Sequence, residues 1–210
     1  CAGFIGHHLV KKLLDDGYEV VGVDDFSTGY ESRITPFSAD FEFIEGDLCN
    51  PHIAEKAVQG VKYILHQATK PSVPLSIINP IENFHSTLTA SLCLYNAARN
   101  AGVSRIVQAS SSAVYGNIPA EVKREDMAVE PLSPYAAAKC AQEMYGSVFC
   151  LCYGMDIISL RYFNVFGPGQ SPEGAYAAVV PKFAISMING DSPQINGDGS
   201  NSRSYIFVDN

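Results

Sequence analysis

Tyr135 and Lys139 stand four residues apart in "SPYAAAKCAQEMYG" (133–146). A helix places positions i and i+4 on one face, so a phenol and an ammonium meet there. Such a pair suits proton transfer. Tyrosine alone titrates near pH ~10, and work as a base near neutrality takes a shift of about three units, roughly 4 kcal/mol. A cation one helical turn away favours the phenolate and supplies part of that shift. Any helix also yields a half-buried tyrosine beside a surface lysine, so the pair needs company. "ASSSAVYG" (109–116) sets a serine cluster just after an expected strand. A hydroxyl there can hold a reacting oxygen, and Ser111 is our candidate, although a simple turn would use the same residues.

A second motif lies at the start. "CAGFIG" carries Gly3 and Gly6 and runs directly into a helical pattern. Glycines let a backbone approach a pyrophosphate, while a helix N-terminus offers free N–H groups and positive dipole. Asp24 follows eighteen residues after Gly6, at the end of the next expected strand. A carboxylate there accepts from both hydroxyls of an adenosine ribose and repels a 2′-phosphate, which favours NAD over NADP. An ordinary tight turn plus a loop aspartate is the blander alternative. Asp47 also ends a strand and is placed to face an adenine edge or to remain a loop carboxylate. With NAD in place, the cationic nicotinamide adds to Lys139 in favouring a Tyr135 phenolate. Ser111, Tyr135 and Lys139 then form one set downstream of a dinucleotide loop.

The elements that must position these groups alternate. Helical spacing of Leu9, Leu13 and Leu14 ends at Gly17, and strands are expected at 18–25, 41–47, 62–68, 104–110 and 156–163. Helices are expected at 80–101, 134–153 and 176–189. Strands alternating with helices imply parallel βαβ units and an α/β, Rossmann-like doubly wound parallel sheet. The Gly- and Pro-rich loop 164–175 follows a strand's C-terminal end, where such sheets bind ligands. We divide the chain into an NAD-binding domain at 1–163 and a partial substrate-binding region at 164–210, interleaved with it.

The bulk numbers bound the function. The chain has 210 residues and a net charge of −8, which argues against nonspecific nucleic-acid binding and an anionic membrane surface. It contains neither a signal peptide nor an apolar run long enough to cross a bilayer. Six dispersed cysteines lack metal-ligand spacing and suggest a reducing, cytoplasmic setting, with Cys150 and Cys152 expected as buried thiols on a helix. No metal site is expected. His66 reads as a structural residue ending a buried strand, His7 and His8 as solvent-facing or packing residues at a helix start, and His85 as a helix-face residue. The chain opens inside a glycine motif and stops at "SYIFVDN", so a fragment of a longer protein is expected.

These motifs resemble the extended short-chain dehydrogenase/reductase family, specifically its nucleotide-sugar epimerases, over nearly the whole chain. That family opens with a strand and Thr-Gly-x-x-Gly-x-x-Gly; Gly3 and Gly6 match the second and third glycines and enclose Phe4 and Ile5. "VDDFSTG" (23–29) resembles the ribose-binding turn, which implies cofactor contacts from Asp24, Phe26, Ser27, Thr28 and Gly29. "GDL" (46–48) implies adenine contacts from Asp47 and Leu48. "HQAT" (66–69) implies nucleotide contacts from Gln67, Ala68 and Thr69, and Thr87 and Tyr162 join the cofactor set. "SPYAAAK" matches the catalytic segment, so the resemblance implies catalytic Ser111, Ser112, Tyr135 and Lys139. It implies substrate contacts from Ser72, Val73, Ser111, Ser112, Tyr135, Asn164, Ala178 and Val179, with Arg203 gripping the diphosphate.

Within that family "HQATKPSVPLS" and "GAYAAVVPKF" look most like the branch acting on UDP-N-acetylglucosamine. The resemblance implies C4 inversion of a UDP-hexose: Tyr135 takes the 4-hydroxyl proton while hydride leaves C4 for NAD⁺, the 4-keto sugar turns over, and hydride returns to its other face. The family's 4,6-dehydratases carry Asp and Glu at the positions of Ser112 and Ala113, and its decarboxylases carry Glu at the latter. Serine and alanine cannot serve as that acid/base pair. Four positions depart from the pattern: Thr87 replaces Asn, Ala90 replaces Gly, Leu75 replaces Arg, and Ser204 replaces Asp. UDP-glucuronate 4-epimerase and plain UDP-glucose 4-epimerase are the alternatives within enzymes. A noncatalytic NAD-binding scaffold is the alternative class, which typically loses the tyrosine or lysine retained here. The resemblance also implies a homodimer through helices 80–101 and 134–153, packing within one chain being the other use of their apolar stripes.

Overall fold

The computed structural model describes residues 1–172, 178–195, 197–200 and 202–210. Contacts divide the chain into Cys1–Tyr162 and Phe163–Asn210. The first unit opens with α1 (Phe4–Asp15), whose chain turns away at Gly17 with φ of 82°. β1 (Val21–Asp24) then pairs in parallel with β2 (Glu42–Glu45), Asp24 facing Glu45. α2 (Pro51–Ala57) leads to β3 (Tyr63–His66). α3 (Val73–Ile78), α4 (Pro80–Phe84) and α5 (Ala90–Ala101) precede β4 (Arg105–Ser111), and α6 (Pro134–Tyr153) precedes β5 (Ile157–Tyr162). β3, β4 and β5 form a second parallel sheet in that order. These pairs are parallel: α-helices return the chain between β3, β4 and β5, and an irregular connection with two 3₁₀ turns, Glu31–Arg33 and Thr35–Phe37, returns it between β1 and β2.

Local chemistry sets the helix ends. Asn50, Ser72, Asn79 and Ser133 each accept a backbone N–H from the first turn of α2, α3, α4 and α6, and a proline follows in that turn each time. Gly102 and Gly154 end α5 and α6 in left-handed conformation, at φ of 72° and 67°. The main core joins Ala54 of α2 and Val58 at its C-terminal end to Leu94, Tyr95 and Ala98 of α5 and Ile106 of β4. A second cluster, Ala2, Val10, Ile34 and Phe41, lies beside β1 and β2.

Several expectations are revised. The long helix expected at 80–101 is interrupted, because His85–Thr89 form a π-helical turn between α4 and α5. There the Thr87 hydroxyl pairs with Thr69 at 2.8 Å, and the Ser91 hydroxyl takes the Thr87 carbonyl at 2.5 Å. Polar side chains that bond backbone carbonyls compete with regular helix pairing. The strands are shorter than their apolar runs, the first shrinking from 18–25 to Val21–Asp24. Short α2 and α3 carry too few residues for a periodic signal. Cys152 is exposed and Cys150 only partly covered, so they are not two buried thiols.

The second unit, taken by itself, pairs β6 (Asn164–Phe166) in parallel with β7 (Tyr205–Phe207) and adds α7 (Val179–Ile188). Residues 173–175 of the expected ligand loop and 176–177 of the expected helix lie outside the described residues.

Candidate active site

The first turn of α6 is pinned from outside. The backbone N–H of Tyr135 donates to the Ser76 hydroxyl at 3.1 Å, and that hydroxyl donates to the Val73 carbonyl at 2.6 Å. Ser76 is fully buried, so α3 fixes where α6 begins. Tyr135 is buried, and its phenol shares a hydrogen bond with Ser111 at the end of β4. The Ser111 hydroxyl also accepts the Ala113 N–H at 3.1 Å, which caps the tight turn opened by Ser112. Gly116 closes that turn at φ of 57°, and a Cβ there would lie 2.0 Å from the Glu130 carbonyl oxygen.

Lys139 is not a surface lysine; its side chain is 1% exposed. Its Nζ donates to the Ala109 carbonyl at 2.7 Å and to Gln142 Oε1 at 3.0 Å. Burial pulls this ammonium down to about 7, and Glu143 only partly opposes it. Burial pushes the Tyr135 phenol up, and the Ser111 hydrogen bond offsets only part of that. Without a cofactor the tyrosine therefore shifts away from the phenolate, opposite to the direction that base chemistry requires. The physical reason is desolvation, with Lys139 committed to Ala109 and Gln142. Behind the pair, Glu143 binds Arg161 at 2.8 Å and accepts from the Ser110 hydroxyl, while the guanidinium stacks 4.8 Å from the Tyr115 ring centroid.

The glycine loop is built for close approach. Gly3 is the N-cap of α1, with no side-chain cap, no acidic residue in the first turn and open space where a Cβ would sit. A Cβ on Gly6 would meet the Cys1 carbonyl oxygen at 2.9 Å. Asp24 Oδ2 accepts from the Cys1 backbone nitrogen at 2.9 Å and from the Ala2 N–H at 2.8 Å, and Oδ1 accepts the Phe26 N–H at 2.9 Å. Burial raises this carboxyl, and the N–H groups of Ala2 and Phe26 oppose that. Phe26 takes a left-handed φ of 54°, a conformation a bulky residue adopts only where its surroundings impose it. A Cβ on Gly29 would lie 2.7 Å from Asp24 Oδ1. Ser27 and Thr28 are exposed beside this turn.

The remaining candidates divide. Asp47 accepts the Cys49 N–H at 2.8 Å, so it shapes a turn, and Leu48 is buried in the core. Gln67 has a buried Oε1 with no hydrogen-bond partner, directly after β3, and Ala68 beside it is exposed. Tyr162 stands opposite Ser111 in the β4–β5 register. Ser72 caps α3, and Val73 is exposed. In the second unit Asn164 Nδ2 donates to the Ser204 carbonyl at 2.9 Å, and Arg203 is an exposed guanidinium bonded to the Ser202 carbonyl. Ala178 precedes α7 and Val179 opens it. His66 is buried and bonded to Ser91, His7 Nδ1 lies 3.0 Å from the Gly3 carbonyl, and His85 pairs with Thr89 at 3.2 Å. Sequence reasoning passed over Ser76, Ser91 and Gln142. The available signal was a polar residue on an otherwise apolar helix face.

Parallel sheets, helices between strands and a glycine-opened helix facing an aspartate define a dinucleotide-binding α/β protein. The model of the NAD dependent epimerase/dehydratase family matches residues 1–210, and the chain belongs to that family. It is 39% identical over 212 residues to UDP-glucose 4-epimerase of Mycolicibacterium smegmatis, covering 99% of this chain and 67% of the relative. A structure of UDP-N-acetylglucosamine 4-epimerase from Methanobrevibacter ruminantium, in complex with UDP-N-acetylmuramic acid, superposes with a TM-score of 0.94 at 40% identity. That match covers 99% of this chain and 66% of the other. The UDP-glucose 4-epimerase of Thermus thermophilus in complex with NAD gives a TM-score of 0.88 at 36% identity, covering 99% and 68%. The chain thus spans about two thirds of the length of these relatives.

NAD is the cofactor of this family, and the residues present fit it. The α1 N-terminus is uncapped and open at Gly3, and the backbone at Gly6 and Gly29 leaves no room for a side chain. The orphaned Gln67 Oε1 is a buried acceptor awaiting a donor such as an amide or hydroxyl.

Proposed function

We propose that the protein carrying this chain is an NAD-dependent nucleotide-sugar 4-epimerase that inverts C4 of a UDP-hexose. The observation that carries this reading is the buried pair Tyr135 and Lys139 on α6, with half-buried Ser111 bonded to the phenol, in a chain whose positions after Ser111, Ser112 and Ala113, bear no acid. Elimination of water needs an acid/base pair beside the sugar; epimerisation needs only one group that takes and returns the 4-hydroxyl proton. In this reading the Tyr135 phenol is that group. Ser111 holds the 4-oxygen, and the Lys139 ammonium favours the phenolate. Bound NAD supplies the two-electron acceptor and donor for C4, so no net oxidation results.

Phe4, Ile5 and Gly6 would present N–H groups to the pyrophosphate, Asp24 would take the ribose hydroxyls, and Gln67, Thr69 and Thr87 would line the nicotinamide half. For the nucleotide-sugar we assign Ser72, Val73, Asn164, Ala178, Val179 and Arg203. A homodimer belongs to the same reading: α4 and α6 expose Ile81, Phe84, Met144, Val148 and Leu151, an apolar face suited to a second copy. Six free thiols suit a reducing, cytoplasmic setting.

The test incubates the complete protein separately with UDP-N-acetylglucosamine and UDP-glucose and resolves the 4-epimers by anion-exchange chromatography. A galacto-configured product that vanishes in Tyr135→Phe is expected, and the two rates give the preferred sugar. Neither sugar turning over while NAD is bound removes the reading for these hexoses, and UDP-glucuronate is then the substrate to try.

A further inference from the structure

Lys139 ends a buried chain of side chains that the reaction scheme does not use. Its Nζ donates to Gln142 Oε1 at 3.0 Å, and Gln142 Nε2 donates to Ser91 Oγ at 2.9 Å. His66 Nε2 lies 2.9 Å from the same Ser91 oxygen, and the Ser91 hydroxyl donates to the Thr87 carbonyl at 2.5 Å. His66, Ser91, Lys139 and Gln142 are all buried, none more than 3% exposed. A serine hydroxyl has one proton to give. Thr87 takes it, so Ser91 accepts from both neighbours and His66 carries its proton on Nε2. Gln142 is thereby fixed with its amide nitrogen toward Ser91 and its oxygen toward Lys139. Two of the three ammonium N–H groups are spent on Ala109 and Gln142.

We propose that Gln142, oriented by Ser91 and His66, is a positioning residue that aims the Lys139 ammonium and holds it in its charged form. This rests on the epimerase reading only for its kinetic consequence. Burial penalises the charge, and the carbonyl dipole of Gln142 opposes that penalty. The charged or titratable groups facing Lys139 are Glu143 from α6 and His66 from β3. Burial holds His66 down to about 3, so it stays neutral and Gln142 supplies the adjustable polarity.

The test titrates Lys139 directly by NMR of Nζ in ¹⁵N-lysine-labelled complete protein without added substrate, with Lys139→Met identifying the signal. Gln142→Leu is expected to move the midpoint down by about one unit and Gln142→Glu to move it up. In turnover, the alkaline limb of the kcat profile is expected to follow in the same two directions, with KM for the sugar nucleotide little changed. Opposite shifts from two substitutions at one site are not produced by loosened packing. Should Gln142→Leu fail to fold, Ser91→Ala, which frees the Gln142 amide, is expected to give a smaller downward shift. Unchanged midpoints, or shifts of one sign from both Gln142 variants, overturn the proposal. Opposite shifts in a protein that epimerises no sugar keep the positioning role and remove the epimerase reading instead.

Discussion

His66 illustrates how one buried side chain sets a pH limit. Burial holds its imidazole neutral in the fold, down to about 3, against an ordinary value of 6.5. Between those values the unfolded chain binds the proton and the folded chain does not. Stability therefore rises with pH across that window and is lost on acidification, on the order of 1 kcal/mol per pH unit. Urea unfolding of the wild type and of His66→Asn from pH 7 to pH 4 checks this: the variant is expected to show the shallower acid decline. Parallel curves would place the acid sensitivity elsewhere. Lys139 belongs to the same class of group. Burial brings it to about 7 from 10.5, so its burial costs stability below that upper value and reaches its full cost near neutrality.

At the scale of elements, the turn after β4 and the start of α6 matter most. Gly116→Ala would push a Cβ to 2.0 Å from the Glu130 backbone at a positive φ, and Gly154→Ala would meet nothing within 4 Å at a similar φ. The second change is expected to cost about 1 kcal/mol, and the first several times that, with little soluble protein; chemical denaturation of both compares them. Ser76→Ala removes the side-chain acceptor of the Tyr135 N–H. It is expected to cost about 1 kcal/mol and to lower kcat more than it raises KM, because the phenol loses its register rather than the site its affinity. The passage from α1 to β1, from α5 to β4 and from α6 to β5 was legible because periodicity changes from helix to strand at Gly17, Gly102 and Gly154. The π-helical turn at His85–Thr89 was not, since it depends on Thr69 and Ser91 reaching their partners once tertiary contacts form. Tyr135 and Lys139 were legible as a spacing. The depth of Lys139, and the Gln142–Ser91–His66 chain behind it, arises only when α6, α5 and β3 pack together.

At the scale of the whole molecule, α4 and α6 each carry strongly exposed apolar side chains. Leu151 is 85% exposed and Met144 67% exposed on α6, with Ile81 at 68% on α4. Met144→Lys combined with Leu151→Lys is expected to turn the proposed dimer into a monomer in sedimentation velocity while secondary structure is retained; a monomeric wild type would remove the dimer proposal. The strands carry a consequence for exchange. β4 is hydrogen-bonded to β3 on one side and to β5 on the other, whereas β2 pairs with β1 alone among the described residues. The β4 amides that place Ser111 are therefore expected to take up deuterium later than those of β2.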